Sequence, residues 1–162
     1  MTEETNNTNA DAPQGQLNLQ KIYVKDVSYE APSTPGIFTE TEWTPQINLQ
    51  LNTETKALDD SGLYEIVLSL TVTASDNDKT AYLVEVHQAG IFTIKGFNEQ
   101  DMTYMMGSYC PNILFPFARE AIASLVTHGG FPQLLLTPVN FDALLAQSLN
   151  QKGSNGGGTA NA

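Results

Sequence analysis

The chain is short of cations, of cysteine and of long apolar runs. Seven Lys and Arg stand against eighteen Asp and Glu, a net charge of −11 over 162 residues. A field of that sign repels phosphate backbones, so no nucleic-acid partner is expected and a basic protein surface is the more natural one. The single cysteine, Cys110, excludes an internal disulfide framework. The expectation is a reduced, cytoplasmic protein. No apolar run reaches the length of a membrane span, so no direct membrane insertion is expected. The amino terminus, MTEETNNTNADAPQGQ, is polar and acidic, the opposite of a signal peptide. No phosphate-binding loop, dinucleotide fingerprint or G-x-S-x-G elbow occurs, and no internal repeat is visible.

What remains is a globular composition. Apolar residues make up 41% of the chain, and its length fits one domain with tails. Residues 1–16 carry no large apolar side chain beyond the initiator and read as a disordered tail. Residues 150–162, NQKGSNGGGTANA, read as a flexible tail. The folded domain is therefore expected over 17–149.

Its first half has the pattern of strands. LNLQKIYVKDVSYE (17–30) is rich in β-branched and aromatic residues, but Ile22 and Val24 share one phase and Val27 and Tyr29 the other. A bulge, or burial of the strand on both faces, accounts for the slip. A long loop with Pro32, Pro35, Gly36 and Pro45 follows, and long loops in compact domains are often functional. INLQLN (47–52) puts Ile47, Leu49 and Leu51 on one face. LYEIVLSLTVTA (63–74) and KTAYLVEVHQAGIFTI (79–94) give two more strands, joined by the hairpin signal SDND.

The second half has the pattern of helices. Asn98 caps a short one through EQDMTYMMGS. Pro111 and Asn112 open a longer one, with apolar residues at three- and four-residue spacing from Ile113 to Val126 and with Gly129 and Gly130 at its end. FPQLLLTP (131–138) is an extended link, and Asn140 caps a last helix with Phe141, Leu144, Leu145 and Leu149 in one stripe. Strands grouped before helices predict an α+β fold with a four-stranded antiparallel sheet. The long helix is apolar around most of its girth, which predicts burial on two sides and hence an oligomer.

Few residues ask for catalysis. Cys110 with His87 or His128 is a conceivable nucleophile–base pair, but it lies on an apolar stretch where a thiol acts as a small hydrophobe. The same three residues lack the close spacing of a zinc site. Asp59 and Asp60, like Asp76 and Asp78, fall in turn signals and read as solvated loop acids. An enzyme is possible, but nothing in these residues asks for one, and no metal or cofactor is expected. The methionines of DMTYMMG (101–107) suit core packing. With Trp43 and Tyr82 they would also suit an adaptable apolar groove. Asp26 and Glu30 share a strand face and Glu85 lies mid-strand beside Leu83, as a solvated face or as an acidic patch for a basic partner.

YCPNILFPFARE, followed by HGGFPQLLLTPVNFDALL, resembles the signature of the SecB protein-export chaperones. KDVSYEAP, FTETEWTPQINLQLN, YEIVLSLTVTAS and YLVEVHQAGIF extend the resemblance, in order, over roughly 17–149. It implies a four-stranded antiparallel sheet packed with a long helix and a C-terminal helix, assembled as a homotetramer, a dimer of dimers. Ile113, Leu114, Phe117, Ile122 and Leu125 would then form the oligomer interface, with Pro111 and Pro116 shaping the first turns of the helix that carries them. The resemblance also implies a holdase that binds unfolded precursor proteins and delivers them to the SecA ATPase. Trp43, Ile47, Leu49, Leu51 and Tyr82 would line the substrate groove, Tyr82 standing where many relatives have Phe. Asp26, Glu30, Leu83 and Glu85 would form the face that meets the basic tail of SecA. The tail NQKGSNGGGTANA is neutral to slightly basic where several relatives end in acidic tails, which bears on a tail contact with SecA and not on the sheet contact. Two other readings compete: a SecB-like chaperone devoted to a toxin–antitoxin pair, and a domain that binds a small ligand in the Met- and aromatic-rich region.

Overall fold

The computed structural model describes residues 15–155. Of the expected tails at 1–16 and 150–162, residues 1–14 and 156–162 lie outside the described residues. Four strands form one antiparallel sheet: β1 (Gln16–Glu30), β2 (Gln46–Ala57), β3 (Leu63–Asp76) and β4 (Lys79–Lys95), in the order β1-β4-β3-β2. Strands β2, β3 and β4 are a meander, and the 31–45 loop returns β1 to the side of β4, a Greek key. Each tight turn has its chemistry. Asn77 and Asp78, at φ 48 and 62, join β3 to β4 in the left-handed pair that matches strand twist. Asp59 Oδ1 accepts from Ser61 N, Ser61 Oγ and Leu63 N, which knits the β2–β3 turn and gives that acid a structural task.

The phase slip in β1 is a bulge. Register shifts occur between Leu19 and Lys21 and between Val24 and Asp26. The extra residue at 25 carries Asp26 to the face opposite Val24.

The helical half departs from expectation in one respect. A helix α1 (Glu99–Tyr104), capped by Asn98 Oδ1 accepting from Asp101 N at 2.8 Å, runs without a break through a π turn (Met105–Tyr109) into α2 (Cys110–His128). Pro111 does not open a helix; Tyr109 before it is already helical. Proline has no N–H and its ring crowds the preceding turn. Here the wider turn precedes it, with Cys110 N bonded to Met105 O five residues back. At the other end Gly130 takes φ +85, Gly130 N donates to Thr127 O and Phe131 N to Val126 O. That is a Schellman ending, and it turns Phe131 back onto the core. A last helix, α3 (Phe141–Asn155), begins with Asn140 Oδ1 accepting from Ala143 N and continues past the expected tail boundary at 150.

Helix α2 lies across β3 and β4. Its row Cys110, Leu114, Ala118, Ile122 and Val126, four residues apart, is fully or almost fully buried against Leu68, Leu70, Val84, Val86 and Phe92. Leu114 and Ile122, both expected at the oligomer interface, are fully buried in the protomer's own core. The neighbouring row flanks it: Ile113, Ala121 and Leu125 are partly buried against the core, while Tyr109 and Phe117 are exposed, Phe117 at 48%. The helix is apolar on two sides because two adjacent four-residue rows are apolar.

An aromatic-floored groove and an acidic sheet face

The 31–45 loop is tied to the core by Ile37 and folds over the end of the sheet. There Phe38, Trp43 and Tyr82 converge on Phe131, with ring centroids 4.9, 5.4 and 5.0 Å away. Phe131 was read only as part of a link, yet it is the hub that joins the loop to the sheet. Its signal was the Gly129-Gly130 pair, which aims the next residue at the helix it ends. Tyr82 is 1% exposed, so it forms the floor under Trp43 rather than a wall of the groove. Burial raises its hydroxyl pKa, and the nearby Tyr29 adds to the effect. Tyr29 Oη is itself buried without a hydrogen-bond partner, and it fills the space a side chain at Gly129 would need.

Beside this floor runs the apolar side of β2. Ile47, Leu49 and Leu51 pair with Ala74, Val72 and Leu70, so they share the helix-covered face of the sheet. Helix α2 packs on β3 and β4 and does not extend over β2. Ile47 and Leu49 therefore stay 40% and 37% exposed. On the far side stands α3. Between them Leu51, Thr53, Met106, Phe141, Leu145 and Leu149 line an open groove of about 420 Å³. The π turn seats α3: the Ser108 hydroxyl donates to Asp142 Oδ1. Gly107 lets Leu145 in, since a Cβ there would lie 2.7 Å from Leu145 Cδ1. Of the methionines, Met106 lines the groove, while Met102 and Met105 pack against the core.

Among the described residues no helix packs on the opposite face of the sheet. The bulge at residue 25 brings Asp26 and Glu30 onto this face, opposite His87 and Leu83 of β4. Ser28 pairs with Glu85, so Asp26, Glu30, Leu83 and Glu85 form one patch across two strands. His87 belongs to it as well: Nε2 lies 2.6 Å from Glu85 Oε1. Ser69, Thr71 and Gln50 follow in register, and Glu54 borders the same hollow as Glu85 and His87. Further along, Glu65 accepts from Tyr23 and from Lys25 Nζ at 2.7 Å. Those bonds hold its carboxyl below the usual range, while burial and Glu65 push the Tyr23 phenol up to about 12.

Cys110 is fully buried, and burial pushes its thiol up to about 12, so it carries no thiolate at neutral pH. Among the described residues no three His, Cys, Asp or Glu side chains are placed to share a metal ion. No helix is long and apolar enough to cross a membrane.

The SecB family model, described as preprotein translocase subunit SecB, matches residues 9–152. A protein-export protein SecB of Nitrosococcus oceani is 55% identical over 159 residues, covering 96% of each chain. That of Pseudomonas fluorescens is 50% identical, covering 98% of this chain and 99% of its own. Among solved structures, a SecB-like chaperone of Mycobacterium tuberculosis, in complex with a peptide from an antitoxin, aligns with a TM-score of 0.61. It covers 76% of this chain and 87% of its own at 15% identity, a likeness of fold. The family model and relatives at 50–55% identity over almost the whole chain show that the chain belongs to the SecB family.

Proposed function

We propose that the protein is a protein-export chaperone that holds unfolded precursor chains along the groove between β2 and α3 and passes them to SecA. The observation that carries this reading is the unroofed apolar side of β2, Ile47 and Leu49 above all. An extended chain presents side chains alternately, and a strand face of matching period accepts them without shape selectivity. A native protein has no such segment free. Binding the unfolded state alone draws the folding equilibrium from native by mass action and requires no bond chemistry, so the protein acts as a chaperone and not as an enzyme.

The acidic patch of Asp26, Glu30, Leu83 and Glu85 lies on the other face of the sheet, so client and SecA would bind at the same time. The reading places the protein in the cytoplasm as a homotetramer. Ile113, Phe117 and Leu125 on the outer row of α2 form the helix contact, and Leu114 and Ile122 support it from within. Several grooves on one particle then act on one long chain, which multiplies weak contacts. No nucleotide is required, since transfer follows from competition at SecA.

Mixing the protein with an unfolded precursor and with SecA, each followed by light scattering, tests the two faces separately. The expected outcome is binding of both by the wild type and loss of SecA alone in Asp26→Ala/Glu85→Ala. Client binding with no affinity for SecA would favour a chaperone dedicated to a toxin–antitoxin pair.

A further inference from the structure

Asp76 closes β3 at 3% exposure, with Oδ2 buried and unpartnered. Among the described residues its one side-chain hydrogen bond is a long one, from Thr44 Oγ1 to Oδ1 at 3.5 Å. Lys79 stands directly across the hairpin from it but turns away, binding Glu40 at 3.0 Å. Asp76 is one of the residues lining a hollow of about 360 Å³, with Thr44, Gln46, Ser75, Asn77 and Asp78 and no cation among them. We propose that this hollow is a cation subsite at the end of the apolar groove, where Asp76 takes the ammonium or guanidinium of a lysine or arginine on the bound chain.

Position and charge both support the assignment. Asp76 continues the phase of Leu70, Val72 and Ala74, the residues paired with Leu51, Leu49 and Ile47. It lies two residues past Ala74, about 7 Å along the strand. An extended chain with apolar side chains on β2 thus brings a side chain two to four residues further on over the hollow. A buried carboxylate oxygen without a donor is an uncommon feature and gains most from a charged one. The subsite rests on the reading that this face holds extended chains.

Two synthetic peptides of about twelve residues, with the same alternating leucines and one flanking lysine or N-acetyl-lysine, test it by titration. Wild type should prefer the lysine peptide by about tenfold. Asp76→Asn should abolish the preference while keeping the affinity for the acetylated peptide. Asp60→Asn removes the same charge at the other end of the sheet and should keep the preference. Carbodiimide coupling of the lysine peptide to wild type should yield its amide at Asp76, a readout that holds even if Asp76→Asn fails to fold. Equal binding of the two peptides, a preference that survives Asp76→Asn, or coupling only at other acids would overturn the subsite and leave the groove. Failure of wild type to bind either peptide would overturn the groove reading and the subsite with it.

Discussion

Phe131 carries more of this structure than its place in an irregular segment implies. It touches three aromatic rings from two other parts of the chain. Truncating a buried phenylalanine costs about 3–5 kcal/mol, so Phe131→Ala should lower the urea midpoint accordingly and free the 31–45 loop to proteolysis. That role was not legible, because its partners lie up to 93 positions away and no local pattern records them. Glu65 gives a pH signature. Its folded pKa lies below the ordinary 4.5, so its contribution is complete above 4.5 and is lost as pH falls through the lowered value. Tyr23 is raised from 10 to about 12, so its contribution is complete below 10 and is lost as pH rises toward 12. Glu65→Gln should therefore flatten the acid side of a stability–pH curve measured by urea unfolding, and should weaken the loss at high pH.

At the scale of elements, the sequence declared its strands and helices well and their faces unevenly. Ile47, Leu49 and Leu51 alternate cleanly, and the structure keeps them on one side. The opposed phases of Ile22 with Val24 and Val27 with Tyr29 disclosed the bulge at residue 25. In α2 periodicity failed, because the inner row through Leu114 and Ile122 and the outer row through Ile113 and Phe117 are equally apolar. Only the sheet's position separates them. The π turn was hidden too: Pro111 resembles a helix start by its chemistry, and only backbone bonding shows the helix already under way. The two rows predict different phenotypes. Leu114→Ala should cost about 2–5 kcal/mol of stability and leave the assembly intact. Phe117→Glu should cost little in the protomer but reduce the particle mass seen by light scattering.

At the scale of the whole molecule, the sheet separates two chemistries. One side is apolar and half roofed, and the other carries the acids of a chain with net charge −11. Contacts on the acidic side should weaken as salt screens them, while the apolar contacts of the groove should change little. The unroofed side of β2 is the central element, and Ile47→Gln/Leu49→Gln tests it most directly. The measurement is the affinity of one precursor, unfolded and native, for wild type and for this variant, with SecA binding followed alongside. The prediction is that wild type binds only the unfolded form. The variant should lose about tenfold or more of that affinity while keeping its SecA binding. Unchanged affinity for the unfolded precursor, or equal binding of its native form, would contradict the account.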